Sequence, residues 1–544
     1  MAHDEGIYAT QARAILQTGD WVTVQWGGNP GFDRTIGIQW LIAVCYWLFG
    51  VSEGSARLPS AIAYILSVLL TYRIGCHLLS RRLAWLGAAI FSVIPLVVQY
   101  GRLATQDSVL VCIELIGIWA LLESEQTRPS LLSHPSSLIP PRETERSSLS
   151  SLPPSPLWSL LAGSTFGLGF LIKGFMIIPA GIALLPYLIG QQRRHRHLTN
   201  PWLYAGLVLG LIPVVGWLGL AIAQYGRTPI EELFGKLFHL KGQTYQGAGP
   251  FYYVWNISAN GFPWVFFALA GLILTFQNLE LRRLLQANYS RLLLIGFPVL
   301  LFAQLMLFGT KTHYYPLQLM PFLGLWAAIA LDRLVYLYRK GKQYRLLNVL
   351  NLVVGGLAIV LLGTSFVILT RLITIPSLKS DIVYLSAIVT LLVGLGWLSL
   401  PIVWLRRHQI DLSNSSRQWM SGWLLASWLG LAALTGTGLW GDYTHDLKKF
   451  LQRSEVATVL KNHSVNFVVQ PEKLDRNGRK TFLLLNFYTP KPGKILTQLN
   501  TLLNTLKSAD YAWIDPNLAT KRSSQLKVVR SFQGWQLVKK TSTR

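Results

Sequence analysis

Acidic residues are scarce in this chain: 24 Asp and Glu stand against 49 Lys and Arg among 544 residues, and charged side chains make up only 13%. A soluble domain carries roughly a quarter, which excludes a purely soluble enzyme and, with it, a disordered or fibrous chain. Cysteine is rarer still. Cys45, Cys76 and Cys112 all lie in apolar stretches and no C-x-x-C occurs, so a disulfide framework and zinc-finger spacing are excluded. The opening residues, MAHDEGIYAT, are polar, and no signal peptide is expected in them. The basic residues are dispersed between apolar runs, so the net charge of +25 forms no continuous face and no nucleic-acid partner is expected.

What the chain has in abundance is apolar surface. Hydrophobic residues make up 51%, and mean hydropathy is +0.38. The 20 Trp, 21 Tyr and 23 Phe suit membrane-interface belts as well as cores. Runs long enough to span a bilayer recur at 55–79, 83–100, 106–123, 157–172, 175–190, 201–223, 252–276, 291–308, 314–337, 347–370, 382–405 and 419–438. The fourth and fifth are short and meet at Lys173, as a bent hairpin or one long tilted helix. Residues 36–50 are too short and too Trp-rich to span and fit an interfacial helix. The fold class expected is an α-helical polytopic membrane protein with a small soluble α/β domain at its C-terminus.

Lys/Arg bias sets the orientation. One set of alternate loops, from Arg81/Arg82 to Arg406/Arg407/Arg417, holds 18 Lys and Arg; the opposite set holds 8. The richer set is expected in the cytoplasm. That places residues 1–54, the 224–251 loop, the 309–313 turn and residues 441–544 outside, in a plasma (inner) membrane protein. An outer head needs a preceding span, so a helix is expected before Met1, lost to a late start or a truncated gene. The membrane domain is expected in two parts, 55–123 and 157–440. Between them, 124–156 is Ser/Pro-rich and reads as a disordered cytoplasmic linker. Residues 441–544 carry a net charge of +11. Here Phe467–Val469 and Phe482–Phe487 read as strands, Ile495–Ser508 as an amphipathic stretch, and Lys527–Val538 as a hairpin turning at Gln533-Gly534.

Polar residues at span ends are costly, so their default reading is functional. The outer side collects Asp4-Glu5, Asp33-Arg34, Arg102, Asp107, Lys173, His239, and Lys311 with His313, Tyr314 and Tyr315. Taken singly, each has an ordinary explanation: a helix cap for Asp4-Glu5 or Asp107, headgroup contacts for Lys173 and Lys311. Gathered at one interface, carboxylates and cations suit a base acting beside a phosphate.

The stretches DEGIYATQARAILQTGDW, GFDR, YWLFGVSEGSARLPSA, GRLATQD, GLGFLIKG, GPFYYVWNISANGFPW and KTHYYPLQLMPFLGL, in this order and spacing, resemble the GT-C glycosyltransferases of the protein O-mannosyltransferase-like family. Within it, the bacterial transferases that attach aminoarabinose to lipid A look most alike. The resemblance implies thirteen spans, an outer active site and an outer C-terminal domain. It implies transfer of a sugar from a polyprenyl-phosphate carrier to an envelope lipid, glycan or protein, with inversion. Asp4 matches the family's first-loop catalytic aspartate, with Glu5 beside it, and Asp107 the second acidic position. Tyr8, Arg34, Arg102, Lys173, His313, Tyr314 and Tyr315 fall to carrier and substrate binding. Asp33 and His239 lie near positions where the lipid A enzyme holds a divalent metal ion. Arg34 stands where the family has Lys, and Thr35 and Ile36 where it has Pro-Pro. The rival class, a transporter or flippase, predicts internal repeats and midplane charges, and the sequence has neither. A non-catalytic, truncated family member is the third reading.

Overall fold

The computed structural model describes residues 1, 3–26, 29–126, 155–242, 249, 251–277, 291–341, 343–372, 380–409, 411–470, 473–498, 510–519 and 525–541. Most of the Ser/Pro-rich linker therefore lies outside the described residues. Its ends meet: the backbone N–H of Ser155 donates to the Ser124 carbonyl at 3.3 Å.

Helices stand at every apolar run read from the sequence, and 37–49 is a helix as well. Fewer than the expected twelve qualify as spans. Among the described residues, six helices are long and apolar enough to cross a bilayer: Glu53–Leu78, Pro156–Gly190, Pro201–Tyr225, Tyr315–Lys340, Tyr344–Leu369 and Asp381–His408. The total rises to eight if each of two bent pairs is one span. The reasons are local. The fourth and fifth runs join into a continuous stretch of 35 residues. Asp107–Gln126 carries Glu114, Glu123 and Glu125 as well as Asp107. Leu292–Leu307 is short. Two runs bend: Arg81–Phe91 turns by 65° into Pro95–Gly101, and Tyr252–Asn260 by 111° into Trp264–Gln277. Proline lies at both breaks, Pro95 and Pro263, where it removes a helix hydrogen bond. The protein is a multi-pass membrane protein.

Small residues set how closely the helices approach. Pro156–Lys173 packs on Pro201–Tyr225 through Gly163 and Gly167 on one side and Gly206 and Gly210 on the other. A Cβ on Gly163 would sit 2.0 Å from the Leu203 carbonyl oxygen, and one on Gly206 2.0 Å from that of Leu160. This is small-x-x-x-small packing, the bilayer's substitute for a hydrophobic drive between helices. Tyr315–Lys340 is the central helix, buried along most of its length, whereas Tyr344–Leu369 is left mostly exposed by the protein.

The C-terminal domain is a five-stranded sheet. Val465–Val468 (β3) pairs in parallel with Pro492–Leu496 (β4) and Tyr511–Ile514 (β5); Trp535–Lys540 (β7) runs antiparallel to β5 and to Leu526–Phe532 (β6), in the order β4-β3-β5-β7-β6. An earlier two-stranded ribbon, Gln25–Trp26 (β1) with Asn29–Pro30 (β2), lies between the helices His3–Thr18 and Gly37–Phe49. The β6–β7 turn is Gln533-Gly534, both at positive φ, the conformation that matches strand twist. Phe482–Phe487 is helical, inside Arg476–Tyr488. The Asp475 side chain caps that helix by accepting the Gly478 N–H at 2.7 Å. Of the expected amphipathic stretch, Ile495 and Leu496 are strand; 499–509 lie outside the described residues.

The domain is docked by the His3–Thr18 helix. The Arg13 guanidinium donates to the carbonyls of Phe487, Thr489 and Pro490 at 3.1, 2.9 and 2.6 Å. It thus satisfies carbonyls where the Arg476–Tyr488 helix ends.

Candidate active site

Asp4 and Tyr8 lie four residues apart on the His3–Thr18 helix, hence on one face. Tyr8 is buried, and burial pushes its phenol up to about 12. The Arg34 guanidinium sits over the Tyr8 ring, 5.1 Å from the centroid. Burial works against the Arg34 charge, but Tyr8, Asp33 and Asp4 outweigh it and hold its pKa above the ordinary value. The 33–36 loop reaches the end of another helix: a Cβ on Gly37 would meet the Leu171 carbonyl oxygen at 2.6 Å.

That helix ends at Lys173, where Gly174 turns the chain at φ 59°. The Lys173 ammonium ion-pairs with Asp107, the first residue of Asp107–Gln126. It also lies over two rings, 4.8 Å from the centroid of Tyr314 and 5.4 Å from that of Tyr315. His313 Nε2 is 2.8 Å from the Tyr100 hydroxyl, and Tyr100 and Tyr314 pack at 5.5 Å. Asp4 is exposed, and its charge is felt at Tyr8, Arg34, Lys236 and His313. The structure therefore brings Asp4, Tyr8, Arg34, Asp107, Lys173, His313, Tyr314 and Tyr315 into one cluster.

Three expected members stand differently. Glu5 is fully buried and carries an ion pair with Arg57. Arg102 lies toward the C-terminal domain, with Arg57 and Tyr443 as its electrostatic neighbours. Asp33 was expected to hold a metal ion. Its carboxylate instead faces two cations, Lys236 Nζ at 2.5 Å and Arg34 Nε at 3.6 Å, and such a setting repels a further positive ion. The His239 side chain lies outside the described residues. No group of three metal-ligating side chains converges among the described residues.

The sequence reading passed over Glu114, Lys236 and Arg57. Glu114 is buried two turns below Asp107 and accepts from Gln318 Nε2 at 2.6 Å. An acid inside an apolar run was the available signal. The neighbours of the cluster are polar and unsatisfied: Thr35 Oγ1, Thr105 Oγ1, Gln106 Nε2, Thr312 Oγ1 and Gln318 Oε1 are buried with no protein partner. Unpaired buried polar atoms are uncommon, and here they flank Arg34, Asp107 and His313.

The family described as dolichyl-phosphate-mannose-protein mannosyltransferase matches residues 33–132 and 153–219. The undecaprenyl phosphate-alpha-4-amino-4-deoxy-L-arabinose arabinosyl transferase 1 of Pseudomonas fluorescens is 29% identical over 66% of this chain and 60% of its own length. The corresponding transferase of Edwardsiella ictaluri is 27% identical over 80% of this chain and 72% of its own. This chain thus spans well under the full length of these relatives. The crystal structure of ArnT from Cupriavidus metallidurans bound to undecaprenyl phosphate superposes with a TM-score of 0.66, covering 98% of this chain and 93% of that one at 18% identity. The chain therefore shares the fold of that transferase, and its residues 33–132 and 153–219 resemble the mannosyltransferase family.

Proposed function

We propose that this protein is an inverting glycosyltransferase that moves a sugar from a polyprenyl-phosphate carrier to an envelope lipid at the outer face of the plasma (inner) membrane. One observation carries the reading. Two cations, Arg34 and Lys173, and two acids, Asp4 and Asp107, come from separate segments to one cluster beside buried, unpaired polar atoms. The relatives' names favour a pentose, 4-amino-4-deoxy-L-arabinose, as the sugar carried.

The chemistry follows from the residue types. An acceptor hydroxyl is a poor nucleophile. A carboxylate about 3 Å away can take its proton as the new bond forms, and Asp4 is the exposed carboxylate of the group. The leaving phosphate carries its own charge and needs cations more than an acid. Arg34 offers a planar fork and Lys173 a point charge. Asp107 and the two tyrosine rings hold Lys173 in place, which spares reorganisation during transfer. The prenyl tail stays in the lipid, so the donor need not be extracted. A single attack from the face opposite the phosphate inverts the anomeric carbon.

The test is transfer in liposomes that hold the purified protein, envelope lipids and a labelled sugar on polyprenyl phosphate. Mass spectrometry should find the sugar on a lipid. Loss of label to no lipid, glycan or protein, with the carrier bound, would overturn the reading.

A further inference from the structure

We propose that Glu5 and Arg57 form a positioning clamp that aims Asp4 and ties it to the loop of Asp107, with the C-terminal domain holding the clamp closed; this rests on the reading of Asp4 as the catalytic carboxylate. Arg57 grips Glu5 bidentately, Nε to Oε1 at 2.7 Å and Nη2 to Oε2 at 3.0 Å. Glu5 Oε1 also accepts the backbone N–H of Ala104 at 3.0 Å. Ala104 stands three residues before Asp107. One buried carboxylate thereby joins the helix that bears Asp4 to the segment that opens the Asp107 helix.

The geometry makes Glu5 a rotational stop. Side chains advance about 100° per residue around a helix. Fixing Glu5 by three hydrogen bonds fixes the rotation of the first turn, and with it the direction of its neighbour. Asp4 then faces the open side while Glu5 faces inward. Bidentate Arg–carboxylate pairs are directional as well as strong, which suits a role in placement.

The C-terminal domain closes the other side. Arg57 Nη2 donates to the Gly441 carbonyl at 3.0 Å and lies 3.6 Å from Glu53. Glu53 in turn takes Lys448 Nζ at 2.7 Å and the Tyr488 hydroxyl at 2.7 Å. Lys448 bridges to Asp442 at 2.9 Å. Gly441 has φ +119°, and a Cβ there would sit 3.5 Å from Arg102 Nη2. The chain thus leaves the membrane domain in a conformation that presents a carbonyl to Arg57.

The experiment uses the full chain in lipid nanodiscs with Glu5→Gln, Arg57→Gln and Arg57→Lys. Glu5→Gln keeps the volume and an acceptor for Ala104 but loses the charged fork. Hydrogen exchange should quicken together in peptides covering 3–10 and 102–107, and stay unchanged over 314–318. Per folded molecule, kcat should fall about 10- to 100-fold in the two Gln variants. KM for the carrier should stay within about threefold, and Arg57→Lys should recover part of the rate. Rates within twofold of the parent, or exchange that changes in one segment alone, would overturn the clamp. So would loss of turnover in these variants alongside full turnover in Asp4→Asn. Coupled exchange in a parent that transfers no sugar would uphold the clamp's geometry and bring down the reading of Asp4 instead.

Discussion

Lys173 and Asp107 meet from the ends of two different helices, and the ammonium also lies over the Tyr314 and Tyr315 rings. Neither residue is more than slightly exposed. A charge so placed is costly to orphan. Removing one partner of a buried pair typically costs about 3–5 kcal/mol, because the other is left unpaired. Lys173→Met should therefore lower the melting temperature as well as the transfer rate. The double variant Lys173→Met/Asp107→Asn should melt higher than Lys173→Met alone, since it removes the stranded charge. Thermal unfolding of the four proteins in one detergent gives the comparison. Simple additivity would mean that the two residues do not stabilise each other.

Arg34 should bind the carrier phosphate. Hydrogen bonds to charged groups contribute about 1.5–3 kcal/mol, so Arg34→Ala should weaken binding of polyprenyl phosphate about 10- to 100-fold. Arg34→Lys keeps the charge but loses the fork and the stacking over Tyr8. It should fall between the two. Fluorescence titration with polyprenyl phosphate reads both, and parental affinity in both variants would reduce Arg34 to a headgroup contact.

Asp33 lies between Lys236 and Arg34, where it orients cations. Burial already pulls the Lys236 pKa down, and the Arg34 charge adds to that. Chelation with EDTA should leave the transfer rate unchanged. Asp33→Asn should lower it, by releasing Lys236 and loosening Arg34. A rate that collapses with EDTA and returns with a divalent ion would reverse this assignment.

The sequence was legible where one property decided the structure. Long apolar runs became helices because a bilayer leaves the backbone no other partner for its polar groups. Gln533-Gly534 became a turn because its residues accept positive φ. What stayed hidden depended on contacts made far along the chain. FLLLNF reads equally as a buried strand or a buried helix, and Asp475, through its cap on Gly478, belongs to the helix. Glu5 looked like a second catalytic acid until Arg57, 52 residues on, was seen to hold it. Whether an apolar run spans once or bends at a proline is set by the neighbours it packs against, not by hydropathy.

The linker should be dispensable. Its composition cannot offset the entropy of ordering, and the family match skips residues 133–152. The flanking helices already meet at Ser124 and Ser155, so a shorter connection closes without strain. Deleting 128–152 should leave expression and transfer within about twofold, because loop-closure cost varies only slowly with length. Loss of transfer in well-folded protein would show that the segment binds something.

Asp4 gives the sharpest contrast between two roles. It lies in the first turn of the His3–Thr18 helix, where an acid favours the helix dipole, and its charge is also felt at Arg34 and His313. As a helix-end residue, Asp4→Asn should cost only a fraction of a kcal/mol, about 0.3–1, and leave turnover intact. As a base, asparagine is useless, and loss of general-base help typically costs about 10²–10⁴-fold in rate, or about 3–5 kcal/mol of barrier. The expected result is a protein with parental melting temperature, parental carrier affinity and nearly abolished transfer. Carrier affinity is the informative control, because Arg34 and Lys173 remain in place to hold the phosphate. Full turnover in Asp4→Asn would transfer the role of base to Asp107, whose own Asn variant would then have to lose rate without losing the carrier.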